Sequence, residues 1–367
     1  MTTASSDPLV SVVTPVYNGE QFLRECIESV RAQSYQNWEF CIVNNCSTDR
    51  TLEIAQAYAA KDSRVRVHSN SQFLSIIENH NNALRQISSE SKYCKVIFAD
   101  DWLFPQCIEE MVRVAEAHPS IGIVGAYGLD GTRVLWDGLP YPSTFIPGRE
   151  LCRKTLLSSL YVFGSPTSLL FRSDFVRIRE AFFDEDNLHA DHAACFELLQ
   201  SSDFGFVHQV LTFTRTSQES NNTLAQRMDS IVLGNLGILL EYGPACLTRE
   251  EFEECRKQLL KIYYRVLARG FLRFRGKEYW NYHRHRLNTF GCPLSPVRLA
   301  KAVVQKIFTS TVHPIDSAKG AMDWWPRAMS KTFPKQRTSQ KGSSLEERGR
   351  PTEIQRDTAR NEVITKD

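Results

Sequence analysis

Two adjacent carboxylates stand directly behind an apolar run in Val96-Ile97-Phe98-Ala99-Asp100-Asp101-Trp102. Like charges so close raise each other's proton affinity, and a neighbouring cation relieves the repulsion. A divalent ion held by one or two carboxylates and a diphosphate fits this pattern, with Mg2+ or Mn2+ as the ion. The plainer alternative is that Asp100 or Asp101 caps the helix expected to begin near Pro105.

The elements that must position this pair alternate in type. Residues 9–16 are β-branched and end at the turn Tyr17-Asn18-Gly19, which reads as a buried strand. Phe22, Leu23, Cys26, Ile27 and Val30 then recur at helical spacing. A second apolar run, Phe40-Cys41-Ile42-Val43, leads into the polar turn Asn44-Asn45-Cys46-Ser47-Thr48-Asp49 and another helix through Ile54, Ala55 and Tyr58. The pattern continues with strands at Val65-Arg66-Val67, Val96-Ile97-Phe98 and Ile121-Gly122-Ile123-Val124, and helices near 76–87 and 108–117. Such alternation predicts an α/β fold with a mainly parallel sheet covered on both faces. Ligands of such sheets bind beyond the strands' carboxyl ends, where segments 17–19, 44–49 and 99–102 converge.

From about 130 to 216 the texture is turn-rich, with a strand at Ser168-Leu169-Leu170-Phe171, a helix near 190–200 and an extended run over 204–213, as in the second half of one mixed sheet. After Asn222 it is helical, with runs near 225–242 and 248–272. Residues 331–367 carry nine Lys or Arg and six Asp or Glu, with few large apolar side chains, and read as a disordered charged tail. The expected division is a flexible 1–8, a catalytic domain over 9–222, a helical extension over 223–330 and the tail.

Composition narrows the classes. Forty-four Lys and Arg against 42 Asp and Glu give a formal charge of +2, which does not point to a nucleic-acid partner. Ten cysteines without a CxxC pair argue against a zinc ribbon or redox motif and fit a reducing cytosol. No basic-then-apolar leader opens the sequence, and no stretch approaches the roughly 18 apolar residues of a membrane span. The expected location is cytoplasmic, extending to the inner face of a membrane.

Four segments occur in order: Val13-Thr14-Pro15-Val16-Tyr17-Asn18, Ile42-Val43-Asn44-Asn45-Cys46-Ser47-Thr48-Asp49, Glu78-Asn79-His80-Asn81-Asn82-Ala83-Leu84 and Phe98-Ala99-Asp100-Asp101. In that order and at those intervals the chain resembles the family-2 glycosyltransferases, from about Leu9 to Ser220. The resemblance implies the GT-A fold, a nucleotide-diphospho-sugar donor, commonly a divalent metal, and inversion at the anomeric carbon. It places Pro15 and Tyr17 in the nucleotide pocket, with Tyr17 against the base. It puts Asn45 where an acid binds the uracil imide, and Asp100 and Asp101 where an acidic pair contacts ribose and metal. A departing diphosphate gains negative charge, which a metal ion stabilises locally.

Phe183-Asp184-Glu185, Ala190-Asp191-His192 and Phe196-Glu197-Leu198-Leu199 resemble the family's acceptor-side segment, which implies Asp191 as the base that deprotonates the acceptor hydroxyl. Glu185 and Asp186 are the other candidates, and Asp191 is otherwise a favourable charge in a first helical turn. Gly164-Ser165-Pro166-Thr167-Ser168 resembles a loop shaping the acceptor site, or is plain turn chemistry. The stretch from Arg215 to Ser220 resembles a closing segment, in which Arg215 either offsets diphosphate charge or is a surface cation. His189, His192 and His208 read as structural or surface groups.

The chain departs from the family pattern at several positions. Phe98 replaces the first acid of a spaced Asp-x-Asp, Asn44-Asn45 an acidic pair, Ala190 an acid and Ser217 a frequent histidine. An amide still offers a base both acceptor and donor, but uridine preference loosens. Downstream, Ser295-Pro296 starts a helix with Ala300, Val303, Val304, Ile307 and Phe308 on one face and Arg298, Lys301 and Gln305 opposite. With Trp324-Trp325, residues 296–325 read as a peripheral membrane contact, or as a bundle helix packed on the catalytic domain.

The reading is an inverting, metal-dependent glycosyltransferase. It moves a sugar, UDP-linked by resemblance, to a saccharide or lipid-linked saccharide acceptor in polysaccharide or glycolipid assembly. The alternatives are a catalytically degenerate nucleotide-sugar-binding module and a nucleotidyltransferase. Val16-Tyr17-Asn18-Gly19-Glu20 lacks the glycine-rich basic loop expected of the latter.

Overall fold

The computed structural model describes residues 7–135, 138–158, 160–215 and 221–312, which lie in one compact unit. In chain order the elements are β1 (Val10–Val16), α1 (Leu23–Arg31), β2 (Trp38–Asn44), α2 (Thr51–Ala59), β3 (Val65–Ser69), α3 (Ile76–Leu84), β4 (Tyr93–Val96), β5 (Trp102–Leu103), α4 (Cys107–Ala117) and β6 (Ile121–Asp130). There follow β7 (Arg133–Leu135), β8 (Phe145–Ile146), α5 (Gly148–Leu157), a single 3-10 turn at Pro166–Ser168, β9 (Leu169–Arg172), α6 (Ser173–Arg177), α7 (Ala190–Leu198) and β10 (Asp203–Phe213). The chain then turns helical: α8 (Asn221–Arg227), α9 (Ile231–Cys246), α10 (Arg249–Leu272), α11 (Lys277–Thr289) and α12 (Pro296–Val312).

One mixed sheet in the order β3-β2-β1-β4-β9-β6-β10-β5 forms the centre. β3, β2, β1 and β4 run parallel, β9 is antiparallel to both β4 and β6, and β10 returns parallel to β6. The expected mainly parallel α/β sheet with a helical C-terminal region is what the molecule has. The strand before the acidic pair ends at Val96, earlier than the sequence suggests: the Ile97 N–H still reaches the Val13 carbonyl at 3.0 Å, but Phe98 to Asp101 form a turn closed by the Asp101 N–H on the Phe98 carbonyl at 3.0 Å.

Alternation along the strands divides the interior into two cores. Val10, Val12 and Val16 of β1 face a layer with Leu23, Ile27 and Val30 of α1 and Ile108, Met111 and Val112 of α4. Val13 of β1, with Cys41 and Val43 of β2, faces the opposite layer. That second core runs without interruption from Phe163, Phe196 and Phe204 into Leu236, Leu259, Tyr263 and Leu287 of the C-terminal helices. His283, wholly buried on α11, bonds Tyr263 Oη through Nδ1 at 2.8 Å and the Met228 carbonyl through Nε2 at 2.8 Å. Burial pushes its pKa down to about 4, so the ring is neutral.

Close backbone approach locks the helical region to the sheet side. Gly234 of α9 lies so near His189 that a Cβ there would sit 2.5 Å from the imidazole Cδ2. Among the described residues no helix is long and apolar enough to cross a membrane. Gly234→Ala is expected to lower stability by about 1–3 kcal/mol, the usual cost of overpacking, measured as a shift in the urea midpoint. An unchanged midpoint would show that His189 yields freely.

Candidate functional site

The turns after β1 and β2 are woven together by side-chain caps. Ser47 Oγ accepts from the Asn18 N–H at 3.0 Å, Asn18 Oδ1 from the Thr48 N–H at 2.8 Å, and Thr51 Oγ1 from the Gly19 N–H at 2.7 Å. Asn18 takes φ +50°, which asparagine tolerates, and a Cβ on Gly19 would meet Val16 Cγ2 at 2.6 Å. Pro15 is buried in register with Val43. Tyr17 is 49% exposed, its ring meeting the exposed Phe73 edge-on at 4.9 Å. These two aromatics form an open apolar face on which a base could stack.

Asn45, expected at the base, is 3% exposed, and its amide is engaged elsewhere. Its Nδ2 donates to the Leu74 carbonyl at 2.9 Å, while Oδ1 accepts from the Leu74 N–H at 3.0 Å and from Asn70 Nδ2 at 2.8 Å. The physical role the structure gives it is to pin the segment carrying Phe73 beneath Tyr17. One amide cannot make those bonds and also present its full edge to a ligand.

The acidic pair divides in the same way. Asp101 is 2% exposed; Oδ2 accepts from Thr167 Oγ1 at 2.6 Å and Oδ1 from the Arg215 N–H at 2.9 Å. Burial pushes its pKa up to about 7, against the pull of those donors. Asp101, expected beside a metal, thus has both oxygens on protein donors, whereas Asp100 on the same turn is half-buried. Arg215 closes the turn from above: Nε donates to the Asp100 carbonyl at 3.2 Å, Nη2 to Glu25 at 2.9 Å, and the guanidinium lies 4.1 Å from the Phe22 ring centre. Trp102 stacks on Phe213 at 3.6 Å. Phe98, where the family pattern has an acid, stacks on His80 at 5.1 Å, and burial pushes that imidazole down to about 4.

Asp191 lies in the first turn of α7, where its Oδ1 accepts from the His192 N–H at 2.8 Å. Burial raises its pKa above the ordinary carboxylate value. The His192 ring is packed among Tyr161, Phe163 and Phe196 at 5.3–5.5 Å, and burial takes its pKa down to about 3. His189 bonds Ser230 Oγ at 2.9 Å, and His208 bonds Tyr127 Oη and the Ser143 carbonyl. Glu185 accepts from Asn81 at 3.2 Å, and Asp184 lies 4.0 Å from Arg286 of α11. Ala190 is buried in the core. Trp324-Trp325, Ser217, the rest of 216–220 and the tail lie outside the described residues.

Three contributors have no signal of their own in the sequence. Thr167, inside the loop expected at the acceptor, bonds Asp101, 66 residues away. His80 packs on Phe98 on one side and meets Phe183 at 6.2 Å on the other. Asn81 clamps the Phe183 peptide, donating to its carbonyl and accepting from its N–H, both at 2.8 Å. The motif on α3 therefore ties the segment before Asp191 to the acidic turn. The loop Tyr161–Ser168 does the same, touching His192 at one end and Asp101 at the other.

A crevice at the carboxyl ends of β1, β2 and β4, with an acidic turn and an aromatic face, defines a nucleotide-binding α/β sheet of GT-A type. Residues 11–179, a little under half of the chain, match the model of glycosyl transferase family 2. The chain is 34% identical over 161 residues to the "Putative glycosyltransferase EpsE" of Bacillus subtilis (strain 168), covering 42% of this chain and 57% of that protein. Among solved structures it is similar in fold to S. aureus TarS 1-349 in complex with UDP, with TM-score 0.54, 17% identity and coverage of 77% of this chain and 79% of that one. The complex of the same protein with UDP-GlcNAc gives TM-score 0.56, 16% identity and coverage of 77% and 80%.

Asn81→Ala is expected to cost about 1–3 kcal/mol for each buried Phe183 group left unpaired, read from urea unfolding. Asn81→Asp, which keeps only the acceptor, should fall between. Equal stability of Asn81→Ala and the parent would remove the clamp from this account.

Proposed function

We propose that this chain is an inverting glycosyltransferase taking a sugar from a UDP-linked donor to a saccharide hydroxyl, free or lipid-linked, in polysaccharide or glycolipid assembly. The observation that carries the proposal is the loop Tyr161–Ser168, which packs on the Asp191 turn and bonds the acidic turn. The six steps from Tyr161 to Thr167 extend at most about 22 Å, which bounds the gap between the two turns and supports one site served by both. The match of residues 11–179 to the family model and the UDP and UDP-GlcNAc complexes of the TarS fold relative support a nucleotide-sugar donor.

In this reading Tyr17 and Phe73 hold the base, with Pro15 and Asn45 shaping the wall behind it. Asp191 accepts the acceptor's proton as its oxygen attacks the anomeric carbon, while the bond from that carbon to the diphosphate oxygen breaks with its electron pair. Attack opposite the leaving group inverts the centre. The His192 ring, neutral and caged, does not compete for the proton, while the backbone N–H of the same residue supports the Asp191 carboxylate.

Among the described residues no three His, Cys, Asp or Glu side chains gather to hold a metal. A site offering one part-exposed carboxylate, Asp100, suits Mg2+ or Mn2+, which bind through one or two carboxylates plus substrate phosphates. Asp101 supports it from beneath. When bound, the ion would offset charge on the departing diphosphate.

On α12, Val297 and Val304 are 79% and 66% exposed beside Arg298 and Lys301, which favours a peripheral contact of 296–312 with an anionic membrane surface. Co-sedimentation with phosphatidylglycerol vesicles that Val297→Asp with Val304→Asp fails to reduce would sink this contact.

Asp191→Asn is expected to lower transfer by about 10^2 to 10^4-fold, the usual worth of a positioned base, with UDP binding retained. Because burial raises the Asp191 pKa, the carboxylate forms only above the ordinary range, so the parent rate should climb with pH through that raised value. Substantial transfer by the variant, or a rate flat across that range, contradicts the assignment. Asp100→Ala should weaken Mn2+-dependent UDP binding at least about tenfold, judged by calorimetric titration with and without Mn2+. Hydrolysis of a nucleotide-sugar panel separates the alternatives: binding without turnover leaves a binding module, and cleavage to nucleoside monophosphate and sugar 1-phosphate, the mark of attack at phosphorus, indicates a nucleotidyltransferase.

A further inference from the structure

Lys95 sits in the middle of β4 with none of its surface exposed. Cys94 and Val96 on either side face the core shared with the C-terminal helices, whereas Lys95 points towards α4. Its ammonium donates to the Thr167 carbonyl at 2.7 Å and the Leu169 carbonyl at 3.2 Å, and lies 3.6 Å from Met111 Sδ. Burial pushes its pKa down, partly offset by the neighbouring Cys107 thiol. A lysine at a central strand position carries a desolvation cost that an apolar residue of similar length would not. Its hydrogen bonds go to the backbone of one short turn, and that turn is the point of interest.

Both carbonyls belong to Pro166–Ser168 and the residue that follows. The ammonium therefore fixes how this 3-10 turn sits beneath β4. Thr167 is wholly buried; its hydroxyl oxygen accepts from the Phe98 N–H at 3.2 Å while its proton goes to Asp101 Oδ2 at 2.6 Å. Asp101 in turn holds the Arg215 N–H. The polar contacts run unbroken from Lys95 through Thr167 and Asp101 to Arg215, and Asp100 rides on the turn they brace. Moving the Thr167 carbonyl would rotate the hydroxyl away from a carboxylate that has few other donors in reach.

We propose that Lys95 is a positioning residue of the donor site, holding the turn whose Thr167 hydroxyl orients Asp101 and thereby sets the acidic turn that carries Asp100. This rests on reading that turn as the nucleotide-sugar site. The test is calorimetric titration of the full chain with UDP and MnCl2, alongside thermal unfolding, for the parent, Lys95→Met, Thr167→Val, Thr167→Ser and the double variant Lys95→Met with Thr167→Val. The expected result is a UDP Kd raised about tenfold or more in each of Lys95→Met and Thr167→Val, on the scale of an unmade charge-assisted bond. The double variant should be no worse than either alone, because both act through one hydroxyl, and Thr167→Ser should stay near the parent. A role confined to stability would lower the unfolding temperature while leaving UDP affinity in place.

Folded Lys95→Met with the parent's UDP affinity, or additive losses in the double variant, overturns the inference. Should Lys95→Met fail to fold, the threonine pair decides: loss in Thr167→Val with retention in Thr167→Ser supports it, and parent-like affinity in Thr167→Val overturns it. A parent chain that binds neither UDP nor GDP overturns the donor-site reading and the inference with it, which separates the two failures.

Discussion

A carboxylate buried at the end of a central strand must find donors, and Asp101 finds them in Thr167 and the Arg215 amide. Much else in the crevice follows from that requirement. Thr167 can serve only if the 3-10 turn before β9 lies under β4, which requires β9 to run antiparallel there. The Arg215 amide can serve only if β10 ends beside the turn, and the Trp102–Phe213 stack together with the Arg215–Glu25 pair hold it there. One desolvated acid thereby joins three segments far apart in sequence. The burial that lifts its pKa makes each donor more valuable, since an unpaired charge in that place would cost far more than one in water.

The Asp191 segment obeys a different constraint. Asp191 is near the start of a nine-residue helix whose own contacts are mostly apolar, so its position depends on what packs around α7. Phe196 and Leu199 join the core shared with α9, α10 and α11, His189 fills the gap left by Gly234, and Arg286 approaches Asp184. The C-terminal helices therefore act as the rear wall of the Asp191 segment. Asn81 supplies the front wall. The acidic turn and the Asp191 segment are coupled through neutral, buried imidazoles and amides, which can pack tightly without the repulsion that added charges would bring.

Legibility from sequence was uneven for reasons the structure makes plain. The strands of the parallel half could be read because β-branched runs ending in polar turns have few other ways to bury themselves, and α1 because its apolar positions keep one face. The end of β4 was misjudged by two residues, since Ile97 and Phe98 are as apolar as the strand but lead into the turn that presents the acids. Asn45 and Asp101 carry the right chemistry for ligand contact, yet their partners, Leu74 and Thr167, are invisible to spacing arguments. Lys95 gave no hint at all, because a charged residue in a strand usually means an exposed edge.

The sequence by itself determined the α/β alternation, the family resemblance and the two acidic segments, because those depend on local periodicity and on short ordered motifs. The tertiary structure decided that Asn45 and Asp101 are engaged by internal hydrogen bonds. That choice turns on burial and on donors supplied from 25 to more than 100 residues away, and neither is encoded in any local pattern.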